Sequence, residues 1–200
     1  MLPTHYDCRR GIRRWFSFGN YVWGDCTVAA YMHIVMVHML ASSSSWQRLL
    51  YRLGFNPQID LKPVEEYTQF LATLNEKPSG TQGVDPGQFL AWEQSRGRVT
   101  EWQFIQVHTG GNMEDIIHQA MVDWEGTILC LDLTLRAYNN GTNRGPWELE
   151  PGDTPDPTLG HSIALVEYGP KYNDIITWGI NKRMSYPFTE ATVYGCWVFK

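Results

Sequence analysis

Paired cysteines are what this sequence most plainly lacks: Cys8, Cys26, Cys130 and Cys196 are scattered over 200 residues with no Cys-x-x-Cys. That spacing indicates neither a disulfide framework nor a zinc knuckle, and it fits a reducing compartment. Long apolar runs are missing too. The longest, Val28 to Ala41, contains Tyr31, His33 and His38 and is too short and too polar to span a bilayer, so no membrane partner is expected. The opening residues have no apolar core or small-residue cleavage site of a secretory signal, and nothing like a pro-segment precedes Cys26, so the chain is expected to act where it is made. Basic charge is scarce, with a net charge of -5. The one basic cluster, Arg9, Arg10, Arg13 and Arg14, reads as a solvated turn, and no nucleic-acid partner is expected. Phosphate-cradling glycine loops and dinucleotide fingerprints are absent, which argues against a nucleotide enzyme. His33 and His38 sit five apart on one expected helix, about 140° around its axis, so they do not share a metal and read as packing or surface residues. No cofactor or metal is expected. Asn140-Gly141-Thr142 matches a glycosylation acceptor, incidental without an export signal.

What is present suits a compact enzyme: 43% of residues are hydrophobic and nine are tryptophan. From Asp25 to about Leu40 the chain is apolar nearly all round, which predicts a helix buried in the middle of a lobe and ended by Ser42 to Ser45. A second helix is expected from Pro63 towards Pro78, with Val64, Tyr67, Phe70, Leu71 and Leu74 on its buried face. SGTQGVDPG reads as a loop, Pro86 to Trp92 as a short helix stopping near Gly97, and Val99 to Val107 as a strand. Asn112 is placed to cap a helix that buries Met113, Ile116, Ile117 and Ala120. Thereafter the period changes. TILCLDLT, HSIALVEYG and DIITWG are short, rich in branched residues and bounded by turn formers, as strands are. Arg136 to Gly160 reads as a long loop anchored by Trp147 and Leu149. SYPFTEATVYGCWVFK closes the chain as a helical turn and a final strand. The expected class is α+β, one domain over 1–200, with a helical lobe at about 20–97 and a β-rich lobe at about 98–200.

A cysteine at the first turn of a helix meets the positive end of the dipole and unspent backbone N–H groups, both of which stabilise a thiolate. Cys26 is there, after a Gly24-Asp25 turn in which Asp25 is available as a cap. A cysteine in an apolar helix is ordinarily a small core residue, so a proton acceptor is needed to change that reading. Of six histidines His161 is best placed, following a glycine and opening a branched strand after a long loop.

The segments Gly19 to Ala30 (GNYVWGDCTVAA), Gly160 to Gly169 (GHSIALVEYG) and Ile176-Thr177-Trp178-Gly179 with its aromatic tail give the chain its likeness: it resembles the papain-like cysteine peptidases, and more closely small papain-like proteins of bacteriophages and their bacterial hosts. The resemblance implies a Cys26 nucleophile, a His161 acid/base, and an amide six residues before the nucleophile to bind the oxyanion. Asn20 holds that place, where the family usually has glutamine. It implies a peptide or protein substrate and, for phage relatives, structural proteins of the particle as partners. The location would be the cytoplasm of a bacterial host, or the virion.

The family orients its histidine with an asparagine two residues before Trp-Gly, and that register gives Ile176, which has nothing to offer a ring nitrogen. Counting forward from His161 at the family's separation gives Thr177, whose hydroxyl could hold the imidazole more weakly than an amide. Two readings therefore stand side by side. One is a cysteine hydrolase acting on a peptide bond or cell-wall crosslink; the other is a papain-like scaffold for binding or phage assembly with catalysis weak or lost. Gly160-His161-Ser162-Ile163-Ala164 approximates a serine nucleophile elbow, but no histidine follows it, and Ser162 reads as a strand residue.

Overall fold

A computed structural model describes residues 1–9, 11–12, 14–44, 62–80, 83–107 and 112–200. The expectations that fall on Arg10, Arg13, Ser45, Thr81 and Gln82 lie outside the described residues. The apolar helix forms as α1, Cys26–Ser42, with Val28, Ile34, Val37 and Leu40 fully enclosed. Its end is chemical: the Ser42 hydroxyl donates to the His38 and Met39 carbonyls and the Ser43 hydroxyl to Met39, taking acceptors that a further turn would need. His33 bonds the Phe16 carbonyl and His38 the Trp124 carbonyl, each through Nε2, so both tie α1 to its surroundings.

Helix α2 spans Pro63–Thr73 and α3 spans Pro86–Ser95. The inward positions of α2 are Pro63, Glu66, Tyr67, Phe70 and Leu71, while Val64 and Leu74 face solvent, contrary to the sequence reading. The buried stripe is a clean i, i+3, i+4, i+7, i+8 series, and its phase was hidden because one of its members is a glutamate. Glu66 is tolerable there because Arg96 and Arg98 pair with it.

Among the described residues, one antiparallel sheet of seven strands carries the rest. Its strands are β1 (Tyr6–Asp7), β2 (Trp102–Ile105), β3 (Thr127–Thr134), β4 (Pro155–Tyr168), β5 (Tyr172–Thr177), β6 (Ile180–Ser185) and β7 (Val193–Phe199). The order is β2-β7-β3-β4-β5-β6, with β1 also on β4. Helix α4, Met113–Trp124, buries Met113, Ile117 and Ala120, but Asn112 makes no side-chain cap bond. The strand expected over 99–107 is confined to Trp102–Ile105. A short α5, Leu135–Asn139, capped by Thr134, and the early start of β4 replace much of the loop expected from Arg136 to Gly160. Pro155 and Pro157 masked that start. They are accommodated because this part of β4 pairs on one side only, with β3, across a register shift between Asp132 and Thr134. His161 therefore lies in the middle of a strand, not at its beginning. Among the described residues no helix is long and apolar enough to cross a membrane, and no cluster of three His, Cys, Asp or Glu could hold a metal ion.

Helix α6, Tyr186–Thr192, precedes β7. Strands β5 and β6 are joined by Trp178 and Gly179, both left-handed, with φ of 45° and 71°. Two such residues make the tight turn whose twist suits a hairpin. Gly179 has a second reason to be glycine, since a Cβ there would lie 2.6 Å from the Ser17 backbone nitrogen. The turn thus pins Trp178 against the chain that leads to Asn20.

Candidate active site

Asn20, Cys26, His161 and Trp178 line one cleft of about 510 Å³, whose walls also include Tyr21, Gly80, Tyr138, Gly141 and Leu159. Thr177, buried at 2% exposure, stands behind the histidine. Its Oγ1 is 2.8 Å from His161 Nε2, so the hydroxyl holds one ring nitrogen and leaves Nδ1 for work in the cleft. Ile176 is in the core and contributes nothing to the site. The Trp178 ring stacks on the His161 ring, with centroids 4.3 Å apart and planes 15° from parallel. Tyr21 donates its hydroxyl to the Trp178 carbonyl at 2.6 Å, fixing that residue from the helical side.

The first intrahelical bond of α1 runs from Ala29 N–H to Asp25 O, so the N–H groups of Cys26, Thr27 and Val28 are unspent by the helix. Burial pushes the Cys26 thiol up. The backbone N–H and hydroxyl of Ser162, and the Thr27 N–H, favour the thiolate, while the Asp25 carboxylate adds a charge of the wrong sign. Burial also pushes His161 down to about 3. Burial thus opposes charge on both the resting thiol and the imidazole. Ser162 has a fixed place of its own, bonded to Thr27 Oγ1 at 3.0 Å and approaching the Cys130 sulfur at 3.6 Å.

Asp25 does not act as the expected cap. It sits at the N-cap position with no side-chain cap bond, fully buried, and neither carboxylate oxygen finds a partner among the described residues. Gly19 covers it so closely that a Cβ there would lie 3.1 Å from Oδ2. Desolvation raises its carboxyl to about 7, against which only its own backbone N–H favours the anion.

Helices at one side of the cleft and an antiparallel sheet at the other, with a cysteine on a helix N-terminus and a histidine on a central strand, define a papain-like α+β fold. Solved structures of that fold align over the whole chain. They include xylellain, a cysteine protease from Xylella fastidiosa (12% identity, 100% of this chain and 87% of that one, TM-score 0.64). The Carica candamarcensis cysteine protease CMS1MS2 is similar at 15% identity, over 100% and 99% of the two chains, with a TM-score of 0.58. A structure from work on the mite allergens Blo t 1 and Der p 1 is similar at 12% identity, over 100% and 71%, with a TM-score of 0.60. No family model and no curated protein matches the sequence. At these identities the likeness is one of fold.

Three residues of the site carried no functional weight in the sequence. Trp178 served there only as half of a Trp-Gly landmark, although an aromatic residue just before a hairpin glycine, next to the candidate orienting residue, is a usable signal. Ser162 follows the histidine, and strand alternation alone would turn it towards α1. Asp25 gave no signal beyond its capping chemistry.

Proposed function

We propose that this chain is a cysteine hydrolase that cleaves an amide, either a peptide bond or a cell-wall crosslink, from one papain-like domain with a helical lobe near 20–97 and a β-rich lobe near 98–200. The observation that supports this best is the constraint on His161: Thr177 on Nε2 and Trp178 on its face fix the ring in a cleft that Cys26 also lines. With Nε2–H donating to Thr177, Nδ1 carries the lone pair and is the general base. His161 takes the thiol proton as Cys26 attacks the carbonyl and returns it to the amine that leaves as the C–N bond breaks; it then takes a proton from a water that attacks the thioester, and returns that proton to the Cys26 sulfur as the acid departs. In this reading the Cys26 N–H, unspent by the helix, and the Asn20 amide, on the wall of the same cleft, are the donors that bind the oxyanion. Since burial disfavours the charged form of both partners, proton transfer during attack is favoured over a preformed ion pair.

A second reading, a papain-like scaffold that binds or assembles, for example in a phage particle, gains support from the same electrostatics, since a raised thiol beside a depressed imidazole makes a slow nucleophile. Iodoacetamide labelling separates the two. Cys8, Cys130 and Cys196 are buried, and burial holds the thiols of Cys130 and Cys196 up at about 12, so one cysteine should react in the native protein. The hydrolase reading expects that cysteine to be Cys26, its rate to fall on His161→Gln, and Cys26→Ala to abolish turnover of a peptide library. Labelling of Cys26 that ignores His161 would leave the scaffold reading standing.

A further inference from the structure

Lys182, on β6, pairs with Ile175 and so shares a sheet face with Thr177 two residues along β5. It is 1% exposed. Its ammonium donates to the Asn143 carbonyl at 2.7 Å, the Gly145 carbonyl at 2.9 Å, and the Asn140 carbonyl and Asn143 Oδ1 at 3.3 Å each. No carboxylate pairs with it among the described residues, and burial lowers it to about 8. An unpaired buried charge is costly unless its surroundings solvate it. Here four oxygens from residues 140–145 do so, an oxygen cage of the kind that loops build around metal cations. Without the ammonium those carbonyl dipoles would converge on nothing.

The gathered segment has a consequence at the cleft. Gly141 lies so close to Trp178 that a Cβ would stand 2.3 Å from the ring, and Trp178 is the ring stacked on His161. A second route runs through Trp147, whose ring has Lys182 Nζ 5.4 Å above it and meets Trp178 edge-on at 6.1 Å. Asn139, Gly141 and Thr142, in and beside the same segment, line the cleft.

We propose that Lys182 is a positioning residue, an internal cation that folds residues 140–145 onto Trp178 and thereby fixes the ring that holds His161 in place. Its catalytic consequence rests on the Cys26–His161 reading; the chain of contacts does not. The test uses Lys182→Ala, Lys182→Met and Lys182→Arg in the full chain, with two readouts. The first is the His161 Hε1 resonance, identified by its loss in His161→Gln, which the Trp178 ring current shifts. The second is hydrogen exchange of 140–145.

In Lys182→Met, which keeps the length and apolar stem but not the charge, the resonance should move away from its wild-type position and exchange of 140–145 should quicken. Lys182→Arg should stay near wild type, and ethylammonium chloride should restore Lys182→Ala where sodium chloride does not. Cys26 alkylation should slow about ten-fold in Lys182→Met, the scale of a sub-ångström misplacement at a reacting centre. A Lys182→Met protein with wild-type resonance and exchange, or rescue by sodium equal to that by ethylammonium, overturns the proposal. Should His161→Gln leave Cys26 alkylation unchanged, the hydrolase reading fails, and the resonance and exchange still decide the role of Lys182. If Lys182→Ala does not fold, the methionine and arginine variants carry the comparison.

Discussion

Replacing Asp25 by asparagine removes a negative charge that the fold has no use for. The carboxyl ionises near pH 3.8 in the unfolded chain and near 7 in the folded one, so between those values the native state keeps a proton that the unfolded state has shed. Stability from this group is complete below about pH 4 and is lost as pH rises to 7. At about 1.4 kcal/mol per pH unit, the loss approaches ~4 kcal/mol as an upper limit. His33 and His161 act in the opposite sense. Burial lowers them to about 4 and about 3, so they stabilise the fold above pH 6.5 and cost stability as pH falls below it.

From these three groups, wild type should accordingly gain stability with pH between about 4 and 6.5 at only about half the slope of Asp25→Asn, because the one acid offsets one of the two imidazoles. Urea midpoints by tryptophan fluorescence from pH 4.5 to 8 measure this, and the difference in slope is independent of any constant penalty the new amide brings. Cys26 supplies a second arm. Since the Asp25 charge raises the thiol, the variant should alkylate faster at pH 7 and above. Parallel stability curves across pH 4 to 7 would refute the account of Asp25 as a desolvated, unpartnered carboxylate.

Thr177→Val keeps the shape but leaves buried Nε2 without its partner; a loss of about 1–3 kcal/mol, or about 5- to 150-fold in Cys26 alkylation or turnover, is expected, with Thr177→Ser close to wild type. Gly141→Ala drives a methyl into the Trp178 ring; overpacking of about 1–3 kcal/mol should appear as a lower urea midpoint together with altered near-ultraviolet dichroism and slower alkylation. Gly179→Ala should destabilise on the same scale, because it meets backbone at Ser17 and must also hold a left-handed φ. Asn20→Ala should lower the turnover rate far more than it raises KM, the pattern of an oxyanion donor, and equal effects on both would remove Asn20 from that role.

The parts of the fold read most easily from sequence are those whose residues have one reason to be where they are. Helix α1 is apolar nearly all round because from Thr27 to Val37 it is enclosed on nearly every side, and TILCLDLT coincides with β3 because both its faces are covered. Strand β6 was not legible. Asn181, Lys182 and Arg183 give no strand pattern, and the alternation appears only when Lys182 is known to be buried in a carbonyl cage. The phase of α2 failed for a related reason, a glutamate made internal by two distant arginines. In both cases the missing information is a partner far away in the sequence, which no local period contains.

The position of the orienting residue follows from strand parity. In β4 and β5 Ala164 pairs with Ile176 and Leu165 with Ile175, so Ile176 shares a face with Ala164 and Ser162, and Thr177 shares the other with Ile163 and His161. Extending that register places Thr177 opposite Ile163 and diagonal to His161, within reach of a side chain on the same face. Position 176 could not orient His161 whatever residue it held, because it points through the sheet. An asparagine introduced there should bury an unpaired amide and destabilise the fold without helping the histidine, whereas Thr177→Asn puts the amide on the correct face. Relative to the papain-like pattern that the sequence resembles, the difference thus lies in the spacing between the residue that bonds the histidine and the Trp-Gly turn, one residue shorter here, while the sixteen-residue separation between His161 and Thr177 is what the geometry of the sheet requires.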